Sequence, residues 1–182
     1  MVALLLTPLV GCGPKGSEKQ GSNTTETHGK KYNVAYLVNG NLGDKSFFDS
    51  AAAGLKTLEE DGRITLKTIE MGGTDADKPR WLQTLYEVSD LGEYDLIICG
   101  TYQMPDFLKE VATKYPDQKY AIFDDNTYAG ENKNVLNLTY KQNELGYIIG
   151  TLAASMTTDT SVERINPEKV IGFVGGVDSP VI

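Results

Sequence analysis

Histidine is almost missing from this 182-residue chain: the single one, His28, stands in a polar stretch ahead of the first β-rich run. Histidine-based acid–base chemistry and the usual His/Cys metal sites therefore have no raw material in the part that can fold. Two cysteines, Cys12 and Cys99, are too few for a disulfide framework, and Cys99 sits inside the apolar run YDLIICG as a core residue would. Basic residues are also in deficit, 17 Lys and Arg against 25 Asp and Glu, a net charge of -8, with no run of Lys or Arg. Such a surface excludes nucleic acid and anionic lipid headgroups as partners, since both polyanions need a basic patch. No G-x-S-x-G, no P-loop and no acid–base pair at catalytic spacing occurs, so an enzyme on this scaffold is the weakest reading and no cofactor is expected.

Long apolar runs are lacking too. The opening MVALLLTPLV is about ten residues, against the roughly 20 that a membrane-spanning helix requires, and it fits the apolar segment of an export signal. Gly13 to Lys31 contains no aliphatic or aromatic residue and cannot bury enough surface to offset the entropy of ordering, which predicts a flexible tether.

What is present from Tyr32 onward is an alternation of strand and helix patterns. YNVAYLV, ITLKTIEM, YDLIICG, KYAIFD and VLNLTY are short β-rich runs. Between them, Ser46 to Asp61, Asp77 to Leu91 (with Pro79 in the first turn) and Pro105 to Tyr115 place apolar residues at helical spacing. The pattern predicts an α/β fold, a parallel sheet with helices on both faces. In such sheets ligands bind beyond the carboxyl ends of the strands. That rule selects three loops: NGNLGDKSF after the first strand, GTYQM after the third and DDNTY after the fourth. Candidate ligand residues are Asn39, Asp44, Ser46, Phe47, Gly100, Tyr102 and Asp124, carboxylates and amides to accept from N–H or O–H groups, aromatics to cover a flat face. Plainer readings stand beside them. Ser46 and Asp49 have capping-box spacing, Asp44 suits a turn, Tyr102 could roof the sheet edge and Asp124 could cap the next turn.

Several stretches carry a resemblance. GDKSFFDSAAAGL, YDLIICGTYQMPDFLKEVATKYPDQKYAIFDD, NELGYIIGTLAASM and VIGFVGG are similar, in order, to the basic membrane protein (BMP) family, purine-nucleoside-receptor-like substrate-binding lipoproteins of ABC importers. Leu9-Val10-Gly11-Cys12 resembles the lipobox, although no Lys or Arg precedes the apolar run. The resemblance implies a type I periplasmic-binding-protein-like fold with a lipoprotein signal over residues 1–12, lipidation at Cys12 and a tether over 13–31. A first lobe over 32–138 then leads to a hinge and incomplete second lobe over 139–182, with a strand at KVIGFVGG and a cleft loop at Gly176 and Asp178. It implies a small-molecule solute, nucleoside first, bound on the extracytoplasmic face of the cell membrane, with an ABC permease and ATPase as partners. A ligand-sensing lipoprotein without transport is the alternative. Asp44, Ser46, Phe47 and Asp124 match the family pattern. Gly43, Ala52 and Phe48 depart from it, where an acidic residue, a stacking aromatic and an asparagine are usual.

Overall fold

The computed structural model describes residues 29–159, 161, 163 and 168–175. The expected signal segment, Cys12, most of the tether, Gly176 and Asp178 lie outside the described residues. Five parallel strands, β1 (Tyr32–Val38), β2 (Ile64–Glu70), β3 (Leu96–Gly100), β4 (Tyr120–Phe123) and β5 (Val135–Leu138), form one sheet in the order β2-β1-β3-β4-β5. The helices are α1 (Phe47–Glu60), α2 (Lys78–Leu91), α3 (Pro105–Lys114) and α4 (Gln142–Thr158). A one-turn 3-10 helix, Asp75–Asp77, leads into α2.

Successive strand residues point to opposite faces, and both faces are covered, which is why β1, β3 and β4 read as nearly unbroken apolar runs. On one face Ala35, Leu37, Ile97, Cys99, Tyr120 and Ile122 pack against Trp81, Leu85 and Val88 of α2 and Leu108 and Val111 of α3. Polar atoms entering this core are satisfied: Trp81 Nε1 donates to the Gly72 carbonyl at 2.8 Å, and the Tyr120 and Ser89 hydroxyls share a 2.8 Å hydrogen bond. Burial pushes the Cys99 thiol up to about 12, so it stays a neutral core residue. On the other face Tyr36, Val38 and Phe123 meet Phe48, Ala51, Ala52 and Leu55 of α1 alone. One helix cannot roof five strands. An open groove of about 890 Å³ remains at the amino ends of the strands, floored by Val34, Leu55, Ile64, Leu96 and Ile98, and Leu136 and Leu138 of β5 stay exposed.

Helix ends follow local chemistry. Pro79 occupies the first turn of α2, where its missing N–H costs nothing, and Gly92 takes the left-handed conformation (φ 61°) that ends it. At α1 the expected capping box does not form: the Ser46 side chain caps nothing. Asp44 takes that role, accepting from Ser46 N and Asp49 N at 3.0 and 3.1 Å through Oδ1 and from Phe48 N at 3.2 Å through Oδ2. Asp49 reciprocates by accepting from Gly43 N and Lys45 N at 2.7 and 2.9 Å. The physical reason is reach: two left-handed residues, Gly43 (φ 97°) and Lys45 (φ 53°), fold the loop so that an acceptor two residues upstream of Ser46 lies over the free amides.

Two further expectations change. The segment 168–175, expected to hold a strand, is exposed and forms none, because no neighbouring strand among the described residues offers it hydrogen bonds. Lys30, at the end of the expected tether, makes a 2.7 Å ion pair with Asp95 beside β1.

Candidate functional site

The strand order changes direction at β1. The chain goes from β1 to β2 on one side, then crosses to β3 on the other, so the loops after β1 and β3 lead to helices on opposite faces. Between such loops a crevice opens, the usual ligand position of a doubly wound sheet. Asn39, the first residue after β1, is 2% exposed there. Its Nδ2 donates across the crevice to Thr101 Oγ1 at 3.1 Å and to Gln103 Oε1 at 3.4 Å, both in the loop after β3. Its Oδ1 is buried with no partner in the protein.

Thr101 and Asp124 are the residues immediately beyond the paired ends Gly100 and Phe123 of β3 and β4. Both hold left-handed backbones, Thr101 at φ 72° and Asp124 at φ 60°. For a β-branched threonine this is costly, and such strain gathers where a loop must present side chains in a set direction. Backbone bonds hold them: Thr101 N donates to the Phe123 carbonyl and Asp124 N to the Leu138 carbonyl, each at 2.8 Å. Gly100 is required by the same crowding, since a Cβ there would stand 2.1 Å from Phe123 Cζ.

Asp124 is 9% exposed. Burial, and then the neighbouring Asp125 charge, raise its carboxyl above the ordinary range. Aromatics stand at the rim. Tyr102 is 49% exposed, and Phe47, 42% exposed, meets the Tyr140 ring at a centroid distance of 6.2 Å. Phe48 turns the other way, into the α1-side core and over Gly40, where a Cβ would clash with it at 2.6 Å. The two consecutive rings thus divide between core and rim, as their 100° separation on a helix demands.

Of the seven sequence-selected ligand residues, Asn39, Gly100, Tyr102 and Asp124 lie on the adjoining strand ends, and Phe47 stands at the rim. Asp44 and Ser46 lie on the exposed start of α1, with both Asp44 oxygens turned back onto their own helix. Three participants were not singled out: Thr101, Gln103 and Tyr140. A positive φ at threonine has no sequence signature, and Tyr140 comes to the site only through the course of the chain after β5.

Solved structures place this arrangement in a class. A solute-binding protein of an ABC transporter system from Aeropyrum pernix K1 superposes with a TM-score of 0.63 at 30% identity, covering 71% of this chain and 34% of that one. Another from Conexibacter woesei gives 0.53 at 25% identity, over 68% and 40%. The fold is that of one part of an ABC-type solute-binding protein. Residues 31–182 match the family model described as ABC transporter substrate-binding protein PnrA-like, and the chain belongs to this Bmp family, as the DKSF-containing motif and its companions imply. An uncharacterized lipoprotein of Pyrococcus abyssi is 29% identical over 99% of this chain and 41% of its own length. Basic membrane protein A of Borreliella burgdorferi is 27% identical over 100% of this chain and 48% of its own. The chain therefore spans less than half the length of these relatives.

Proposed function

We propose that this chain supplies the first, ligand-gripping lobe of an extracytoplasmic solute-binding lipoprotein that delivers a small molecule, a nucleoside first among candidates, to an ABC permease and its ATPase. The observation that carries the reading is the crevice at the strand-order reversal. There a buried amide oxygen (Asn39) and a desolvated carboxylate (Asp124) face a rim of exposed aromatics, Phe47 and Tyr102. Acceptors without a neighbouring cation suit a ligand that brings N–H or O–H donors, and aromatic faces suit a flat ring. Nucleosides have both. Gly43 and Ala52 lack the carboxylate and ring usual at those positions in the nucleoside-type resemblance, which leaves fewer base contacts on this lobe. Lipoprotein relatives and the Leu-Val-Gly-Cys sequence support anchoring through acylated Cys12 on the outer face of the cell membrane. Nothing in the site has the makings of a nucleophile with its base, so the role is capture, not turnover.

The test is thermal-shift screening of nucleosides, free bases, sugars and flavins against this chain and against a version extended to the length of its relatives. Stabilisation of the long version by nucleosides supports the reading. Stabilisation by another class alone replaces the ligand, and by none in any class removes the proposal.

A further inference from the structure

α1, α2 and α3 each begin at the carboxyl ends of the parallel strands, and the loop after β1 enters α1 through two glycines, Gly40 and Gly43. In a doubly wound sheet this first turn is where a phosphate group rests, on free backbone N–H groups at the positive end of the helix. Here those groups are taken. Leu42 N donates to Glu70 Oε2 at 2.8 Å, and Gly43 N and Lys45 N donate to Asp49 at 2.7 and 2.9 Å. Ser46 N, Phe48 N and Asp49 N donate to Asp44 at 3.0, 3.2 and 3.1 Å. Carboxylates of the chain itself thus fill the cradle. The glycines serve the fold instead: Gly43 holds φ 97°, and Gly40 leaves room for the Phe48 ring.

We propose that the crevice excludes phosphate and other anionic groups, with Asp44 as the residue that determines it. Its carboxylate stands in the place of a phosphate at the start of α1, so that of a solute and its phosphorylated form only the unphosphorylated one is captured. The inference rests on the reading of the crevice as the ligand site, narrows the class of solute, and does not depend on the ligand being a nucleoside.

The rest of the crevice has the same polarity. Phe47, the first residue of α1, meets Tyr140 at the rim, so the start of α1 borders the crevice. Asn39 Oδ1, on a residue 2% exposed, is an acceptor without a partner, and an ionised phosphate, itself an acceptor, offers it none. Asp124 and Asp125, both buried at the end of β4, take part in no ion pair among the described residues. Both Asp125 oxygens accept from a neutral residue, Thr127, through its N–H and its hydroxyl, each at 2.9 Å. The start of α3 is no better suited to an anion: Pro105 lacks an N–H in the first turn, and Asp106 adds a negative charge there. Lys78 and Lys141 are engaged by Asp75 and Glu144 at 2.8 and 2.7 Å, which leaves Lys45 exposed on the loop against these carboxylates.

The experiment has two arms. In the 182-residue chain, inorganic phosphate is titrated against the backbone amide resonances, with chloride at matched ionic strength as the control. The Ser46, Phe48 and Asp49 amides are expected to stay unmoved in wild type. They are expected to shift to saturation at millimolar phosphate in Asp44→Ala and in Asp44→Ser, whose hydroxyl keeps one capping bond to hold α1. Saturable shifts in wild type, or none in either variant with α1 still helical by circular dichroism, overturn the inference. In the version extended to the relatives' length, inosine monophosphate is expected to bind wild type about a hundredfold or more weakly than inosine at low salt, and Asp44→Ser to close about tenfold of that gap. Charge repulsion is screened by salt and a steric block is not, so the wild-type gap is expected to narrow as ionic strength rises. Equal affinities, or a gap indifferent to salt, overturn the inference. Should inosine fail to bind wild type, the nucleoside reading falls, while the phosphate arm still decides the role of Asp44.

Discussion

Asp44 illustrates how a residue chosen for one role performs another. Its carboxyl is held below the ordinary range, first by the Ser46 N–H and then by those of Asp49 and Phe48. A depressed folded-state value means that the capping contribution is complete above the ordinary carboxylate range and lost as pH falls through the folded value. Protection of the Ser46, Phe48 and Asp49 amides, taken relative to their intrinsic exchange rates, is therefore expected to fall on acidification below about pH 4, and Asp44→Ala is expected to show that loss at neutral pH, with a lower melting temperature. An Asp44→Ala protein with intact protection of α1 and weakened ligand binding would return Asp44 to ligand contact. Gly100 makes a second residue-scale case. Gly100→Ala drives a methyl into the Phe123 ring and is expected to cost about 1–3 kcal/mol in denaturant unfolding. In combination with Phe123→Ala the two losses should fall well short of additive, because the clash vanishes with the ring.

Elements differ in how far they could be read in advance. The five strands and α1 to α3 were legible because period-2 and period-3.6 apolar patterns coincide there with turn residues, and the packed faces of α2 and α3 carry the residues that spacing selects, Trp81, Leu85, Val88, Leu108 and Val111. Of the two readings left open for Ser46, the capping box does not form, since S-x-x-D spacing says nothing about the left-handed residues that lift Asp44 over the amides, and the turn reading of Asp44 is the one its hydrogen bonds match. Segment 168–175 was misread because an apolar run specifies a strand only where a sheet stands ready to receive it. The crevice was legible as three loops, but the Asn39–Thr101–Gln103 bridge, the strain at Thr101 and the Phe47–Tyr140 contact are tertiary and leave no local pattern. α4 shows the same dependence on surroundings. Ile148 and Leu152 stay mostly exposed, at 64% and 61%. Ile148→Ser with Leu152→Ser is thus expected to change the unfolding free energy of this chain by less than about 0.5 kcal/mol, while reducing self-association in light scattering, since exposed apolar patches drive it. A loss of several kcal/mol would mean that α4 is already packed in solution.

At the scale of the whole molecule the shared length with its relatives matters most. A ligand closed between two lobes loses roughly 70–90% of its surface to protein. If the proposed reading of this chain as one lobe holds, the isolated 182-residue chain is expected to bind nucleosides about a thousandfold more weakly than the version extended to the relatives' length, a difference of about 4 kcal/mol in calorimetry. Micromolar binding by the short chain would show that a single lobe suffices. Anchoring is testable separately. Cys12→Ser is expected to leave the fold intact and to release the protein from the membrane fraction, with high salt distinguishing an acyl anchor from charge-mediated adsorption. A serine variant that still pellets in high salt would place the anchor elsewhere.

The single tryptophan decides which optical signals this protein can give. Trp81 is fully buried on the α2–α3 side, its indole N–H taken by the Gly72 carbonyl and its ring edge-on to Phe107 at 6.1 Å. Its emission should accordingly be that of a dry, rigid indole, reporting faithfully when the sheet loses its backing helices. The same placement makes it a poor witness to the crevice, whose rings are Phe47, Tyr102 and Tyr140. A flat fluorescence trace during a ligand titration would thus say nothing about binding, and tyrosine absorbance or a fluorescent ligand is the informative probe.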